Sequence, residues 1–503
     1  MDAIAAHNPR QRDPRISPSD TLVLHDARQA LSYAHFILSR DPRVPLTDVP
    51  PALVLGFDIS ARQPPLLTTE WDMLWNMLRR MAHLERLTVE DGDGLMMDVV
   101  NGVSARMPLS LPRLKYLKFC MSFSLDGCHA FFSLLRDAPL DELVLFYPNN
   151  NDREEDSESP EPVALLAKAS TAATLSTLHL ENLRYSYLDL MAPAAQFPFV
   201  RDLTLRFRTD TEDPSRPIMG YLLAAFPAVK VLYIRTTHSS RAARQPSLEE
   251  IHRANIDATT HASAKWSLES ITGSVLDLWI LGLDYPSTIV EINEVDLFTV
   301  RSLGNFMSDL FSGSSPGTLY VTFTESPSCN PEAMALFFQA VLAYWKSSPS
   351  GTIPKQFTVE LRMIHGNKLG EIMRHVLALL RDGTDMEQFR LTVHLRCKDV
   401  HFPPPPKHRP FPSAQSMDVD EAESSEESTD ESDSDGDGLV QCKESQDLFR
   451  KIREILDEDA QALQAASINC GEYLVKATSY CSPHHGLVVS GGEKIRRWLP
   501  SSH

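Results

Sequence analysis

Apolar residues in the first half of the chain fall into a recurring phrase, apolar-x-x-Leu-x-apolar. It appears at Leu84–Val89, Leu114–Phe119, Leu140–Leu145, Leu175–Leu180, Val200–Leu205 and Val229–Ile234. The middle leucines Leu87, Leu117, Leu143, Leu178, Leu203 and Leu232 are separated by 30, 26, 35, 25 and 29 residues. The fourth and sixth positions of the phrase are two apart, so in a strand both side chains point to one side, toward a core. A single strand cannot bury that side alone. Stacking the strands in parallel does so, and parallel neighbours need a crossover of about a dozen residues or more, usually helical.

The intervening segments supply such crossovers. Trp71, Leu74, Trp75 and Leu78 recur at i, i+3, i+4 and i+7, the stripe of an amphipathic helix. The segments 128–135 and 217–225 repeat that order before Leu140 and Val229. Pro112, Pro139, Pro198 and Pro227 each stand at the junction leading into a strand, where proline stops a helix without removing a needed ladder donor. Past Arg235 the phrase loosens but the alternation continues. Further strands are predicted at 275–281, 289–292, 318–323, 357–363 and 389–395, with helices at 331–342 and 368–380. An opening strand at 52–58 brings the total to about a dozen, stacked as a repeat array.

A period near 30 that pairs a strand with a helix places the chain among leucine-rich repeats, whose units run to roughly 20–29 residues. The expected fold class is α/β, a leucine-rich-repeat solenoid shaped as an irregular horseshoe, with a parallel concave sheet and helices on the convex side. Strand phrases preceded by Phe-Pro or Leu-Pro resemble the degenerate repeats of fungal F-box-type leucine-rich-repeat proteins over about residues 50–400. The resemblance implies a ubiquitin-ligase connection, in which an amino-terminal F-box docks a Skp-type adaptor of a cullin ligase and the repeats select the substrate. The F-box pattern Leu-Pro-x-Glu-Ile-Leu is not found in residues 1–50. Their apolar helix at 27–38 is similar to the segment that follows an F-box. The repeats also lack the regular Asn or Cys that follows the strand in the common form, hence the irregular arc.

Charge changes the picture by its location. The formal net charge is −19, but residues 418–437 carry eleven acids and no base, and residues 152–161 carry six acids and one arginine. The remaining chain is close to neutral, at −3. The second tract falls in the one overlong step, so residues 149–161 are read as an insertion at the rim. The first lies in a segment with almost nothing apolar, unable to offset the entropy of ordering. Four regions follow: a helical, Pro-rich lead-in at 1–50, the solenoid at 51–400, a disordered Pro-rich and acidic loop at 401–440, and a carboxy-terminal helical cap at 441–503. The cap is expected from the stripe Leu448, Ile452 and Leu456, because the ends of a stacked array need covering.

Ser424, Ser428, Ser432 and Ser434 each precede an acid by three positions, which makes them candidate phosphorylation sites for an acidophilic kinase. Seven irregularly spaced cysteines, with neither a basic-apolar leader nor a run of about 18 apolar residues, point to a cytoplasmic or nuclear protein with reduced thiols. Cys470, Cys481, His484 and His485 lack the two close ligand pairs of a structural zinc site. Residues 490–494 and 91–94 lack phosphate-loop and calcium-loop spacing, and no nucleophile elbow appears. No enzyme activity, cofactor or metal is therefore expected. Neither is nucleic-acid or membrane binding, because the body is near neutral and carries no basic run.

What remains is a surface. Residues that alternate with the core leucines point out of the sheet. They include Arg86, Tyr116, Lys118, Phe146, His179, Arg206, Tyr233 and Arg235, rich in the aromatic and arginine anchors that protein interfaces favour. The function expected is a non-enzymatic protein–protein interaction scaffold of unknown partner. The alternatives are a substrate-recognition subunit of a Skp/cullin/F-box-type ubiquitin ligase, and an enzyme built on a different α/β fold.

Overall fold

A computed structural model of the chain describes residues 21–44, 46, 49–56, 68–90, 108–120, 131–132, 134–136, 138–147, 173–183, 196–207, 217–236, 247–262, 266–282, 287–295, 317–324, 331–347, 354–363, 372, 375, 388–397, 472–481 and 487–493. The strands are β1 (Thr21–Leu24), β2 (Ala52–Leu55), β3 (Arg86–Val89), β4 (Leu109–Ser110), β5 (Tyr116–Cys120), β6 (Leu135–Arg136), β7 (Glu142–Phe146), β8 (Thr177–Leu183), β9 (Asp202–Phe207), β10 (Val231–Arg235), β11 (Ser270–Ser274), β12 (Ile289–Glu294), β13 (Thr318–Thr324), β14 (Gln356–Met363), β15 (Gln388–Cys397), β16 (Glu472–Cys481) and β17 (Leu487–Glu493). The helices are α1 (Ala27–Ser39), α2 (Thr68–Arg80), α3 (Met219–Ala225), α4 (Ser247–His261), α5 (Val275–Leu281) and α6 (Pro331–Ser347). The protein is α/β. One 15-stranded sheet takes its strands in chain order, and β4 and β6 pair apart from it. Every neighbouring pair in the long sheet is parallel except the last, β16 with β17.

The register turns the repeated phrase into rows. Leu53, Leu87, Leu117, Leu143, Leu178, Leu203, Leu232, Ile271, Val290, Leu319 and Phe357 stand opposite one another across successive strands. All are buried. A second buried row follows two residues on, from Leu24 and Leu55 through Val89, Phe119, Leu145, Leu180 and Leu205 to Ile234. A one-residue slip of any strand would expose its share of both rows, at about 1.5–3 kcal/mol for each large apolar side chain.

The turn before each strand is locked to the strand before it. The Glu85 carbonyl accepts the amides of Lys115 and Tyr116, and Lys115 accepts those of Asp141 and Glu142. The same fork recurs at Asp141, Ser176, Arg201 and Lys230. Turns at 112–113, 198–199 and 227–228 begin at the prolines. Proline suits these positions because its missing amide lies outside the fork.

Helices cover the side carrying the buried rows. In α2, Trp71, Leu74, Trp75 and Leu78 are buried as one stripe. Trp75 meets Phe131 edge-on at 6.2 Å, and Phe131 lies 4.9 Å from Phe119 of β5. In α6, Phe337 and Phe338 flank Phe323 of β13 at 5.4 and 5.3 Å, and Trp345 meets Phe357 of β14 at 5.7 Å. These residues belong to one continuous core.

The structure corrects one predicted strand. Residues 275–281 form the helix α5, and the strand of that step is β11, just ahead of them. The helix wins because its ends are capped. Ser274 accepts the amide of Asp277 at 3.0 Å, and the Asp277 carboxylate accepts the Ser274 hydroxyl at 2.7 Å and the Thr236 amide at 3.1 Å. At the other end Gly282 adopts a left-handed φ of 58°. An apolar run buried on every side is ambiguous between strand and helix, so the caps decide. Gly273 occupies the second core row of β11, and a Cβ there would lie 2.9 Å from Leu278 Cδ2 and 3.1 Å from Ile234 Cγ2. Leu278 of α5 thus fills the volume that a strand side chain fills elsewhere.

The sheet also extends beyond 51–400 on both sides, because Thr21–Leu24 pairs with β2 and residues 472–493 supply β16 and β17. The insertion at 149–161, the loop at 401–440 with its four serines, and the capping stripe Leu448, Ile452 and Leu456 lie outside the described residues. The segment predicted as a helix over 128–135 is helical at its described residues 131, 132 and 134 and ends in β6.

Candidate interaction surface

Three rows alternate with the buried ones and face away from the helices. The first contains Arg86, Tyr116, Glu142, Thr177, Asp202 and Val231. The second contains Thr88, Lys118, Val144, His179, Thr204 and Tyr233. The third contains Cys120, Phe146 and Glu181 and, across a shift of register in β8 after Leu180, Arg206 and Arg235. Apart from the buried Val144, these side chains are half-buried or exposed. Strand alternation places them there, and the parallel register brings residues 25–35 positions apart into adjacent places.

The register assembles most of the predicted residues into pairs. The Arg86 guanidinium lies 4.1 Å from the centre of the Tyr116 ring. Lys118 Nζ lies 5.0 Å above Phe146, and the Arg206 guanidinium lies 5.0 Å from the Tyr233 ring. Each contact is worth about 0.5–1 kcal/mol at an exposed site. Each also holds a flexible cation in place over an aromatic floor. Arg206 in addition reaches Glu181 at 3.3 Å, where the carboxylate side chain is only 12% exposed and the arginine 46%. Tyr116 has its phenol raised above the ordinary 10.0, first by burial and then by the Glu142 carboxylate, with Arg86 opposing.

Two predicted residues stand outside these ring pairs. His179 is half-buried in register between Val144 and Thr204. Arg235 is exposed and directly opposite Arg206 on the neighbouring strand.

The face continues where the sequence phrase fades. Asn293 of β12 donates to the Tyr233 hydroxyl at 3.4 Å across β11, Thr272 reaches Glu291 at 3.4 Å, and Arg362 pairs with Glu360 on β14 at 2.8 Å. These residues were missed because β11 was misplaced by the 275–281 reading, which broke the register between the two halves. Asn182, at φ 61°, closes β8 by donating to the Tyr147 carbonyl at 2.8 Å. Among the described residues it is the one non-glycine position with positive φ, and it satisfies a loop carbonyl as the asparagine of common leucine-rich repeats does. No helix of the described residues is long and apolar enough to cross a membrane. Comparison with known protein families, with curated proteins and with solved structures finds no match to this chain.

Proposed function

We propose that the protein is a non-enzymatic interaction scaffold, a leucine-rich-repeat-type solenoid that presents its concave sheet face to a protein partner. The supporting observation is the asymmetry of the sheet. One side is filled by helices and sealed at near-zero exposure, while the other carries half-buried aromatic rings with cations from the neighbouring strand seated on them, directly opposite or on the diagonal. Solenoids build such extended surfaces for recognition, and aromatic and arginine anchors carry much of the energy of protein interfaces.

The test is affinity capture from cells with identification of bound proteins by mass spectrometry, comparing the full chain with a Thr204→Trp variant. Thr204 is half-buried at the middle of the face, so a bulky side chain there obstructs docking without entering the core. The expected result is a set of captured proteins lost in the variant. Recovery of a Skp-type adaptor with a cullin would assign the scaffold to substrate recognition in a ubiquitin ligase. Identical capture by both proteins would refute the role of this face.

A further inference from the structure

We propose that Cys397 and Cys481 form a reversible redox pair, a dithiol that a hydroperoxide converts to a disulfide joining the ends of β15 and β16. The two cysteines are 84 positions apart, and local pattern does not connect them. The sheet does. Strands β15 and β16 run parallel through ten consecutive pairs, from Gln388 opposite Glu472 to Cys397 opposite Cys481, without a shift of register. The two cysteines therefore close their strands at the same level.

Directly opposed residues of neighbouring parallel strands lie on one face of the sheet, about 4.8 Å apart. A disulfide spans Cα atoms about 4.4–6.8 Å apart, and the strand spacing falls within that range. The core rows fix the register. Phe357, Val359 and Leu361 of β14 are buried and stand opposite Phe389, Leu391 and Val393 of β15, which stand opposite Tyr473, Val475 and Ala477 of β16. Cys397 and Cys481 continue this series with the same parity. A slip of one residue in β16 would carry Cys481 to the other face together with Tyr473 and Val475. The alternation that builds the core thus also sets the two cysteines side by side. The remaining cysteine among the described residues, Cys120, stands opposite Phe146 of β7.

The reaction balances with a hydroperoxide as oxidant. One thiolate attacks the peroxide, the O–O bond breaks, the sulfur becomes a sulfenic acid, and an alcohol or water leaves after taking up a proton. The second thiol then attacks that sulfur, the S–S bond forms, and water leaves with the second thiol's proton. Together the two sulfurs lose two electrons, which the peroxide gains. Exchange with an external dithiol reverses the step. The bond ties β16, and β17 that pairs with it, to the rest of the array. Because it closes a loop of 84 positions, it removes much of the freedom with which the last two strands separate from the sheet.

The test is a peptide map of the full chain, reduced with dithiothreitol, freed of it, treated with hydrogen peroxide, alkylated with iodoacetamide in denaturant and digested with chymotrypsin. Peptides 396–402 and 481–487 should be recovered joined, and separate after renewed reduction, while Cys120 is recovered alkylated. Hydrogen exchange over residues 472–493 should slow about tenfold or more on oxidation of the wild type and stay unchanged in Cys397→Ser. The map is read on the wild-type chain, so it decides the matter even if the variant folds poorly. Recovery of Cys397 and Cys481 alkylated, or joined instead to Cys442 or Cys470, would overturn the proposal. So would equal yield of the joined peptides from protein oxidised in urea, which would mark a chance encounter of the unfolded chain. Stoichiometric zinc on the purified protein, lost in both Cys397→Ser and Cys481→Ser, would reassign the two thiols to a metal site and also overturn it.

Discussion

Replacing Gly282 by alanine tests the account of α5 most sharply. The residue closes the helix at φ 58°, and an added Cβ would sit 2.6 Å from Ile256 Cγ1, 3.1 Å from the Ile256 backbone nitrogen and 3.2 Å from the His252 carbonyl. The left-handed conformation costs an alanine about 1–2 kcal/mol. Overlap with the backbone of α4, which cannot be relieved by a rotamer change, adds about 1–3 kcal/mol. The expected loss is therefore about 2–5 kcal/mol, concentrated in α4 and α5. Gly220→Ala is the internal control with the opposite sign. Gly220 lies within α3, and its added Cβ would meet only Ala258 Cβ at 3.8 Å, an ordinary contact. Alanine there gains about 0.5–1 kcal/mol of helix propensity. Urea denaturation followed by circular dichroism gives both numbers, and hydrogen exchange over residues 247–282 localises the first. A Gly282→Ala protein within about 0.5 kcal/mol of wild type, or as stable as Gly220→Ala, would refute the capped-helix reading.

Asp277→Ala should cost about 1–3 kcal/mol by denaturant titration, because it removes the hydrogen bond to the buried Thr236 amide and breaks the reciprocal cap with Ser274. Asp277→Asn should recover part of the loss. Gly273→Ala should cost about 1–3 kcal/mol through overlap with Leu278 and Ile234, and a Leu278→Ala second change should reduce the cost of the glycine substitution. Tyr116 should ionise above pH 10.0, later than exposed tyrosines, in an absorbance titration near 295 nm, and Glu142→Gln should bring it lower. Since the folded value is raised, the stability linked to Tyr116 is complete below pH 10.0 and is lost as pH climbs through the folded value.

The arrangement of the face was partly legible before the structure. The alternation of core and outward positions in the six early phrases was sufficient to name Arg86, Tyr116, Lys118, Phe146, Arg206 and Tyr233 as outward residues, because a period of two admits only two sides. It could not pair them. Arg86 meets Tyr116, Lys118 meets Phe146 and Arg206 meets Tyr233 through the strand register. That register depends on the crossovers between strands, which vary by up to ten residues in length.

By itself the sequence determined a parallel sheet built from one strand per step of about 30 residues, with helices between, because amphipathic strands of this spacing have no other way to bury their leucines. It also determined which side chains are core in the early steps. The tertiary structure alone decided the rest. α5 is tied to the end of β10 because the Asp277 carboxylate accepts the amide of Thr236, a residue 41 positions earlier. The strand at Thr21–Leu24 exists because β2 offers it an edge. Arg206 and Arg235 share one place on the face because β9 and β10 align residue by residue. In each case the deciding partner is distant in sequence, and local pattern carries no information about it.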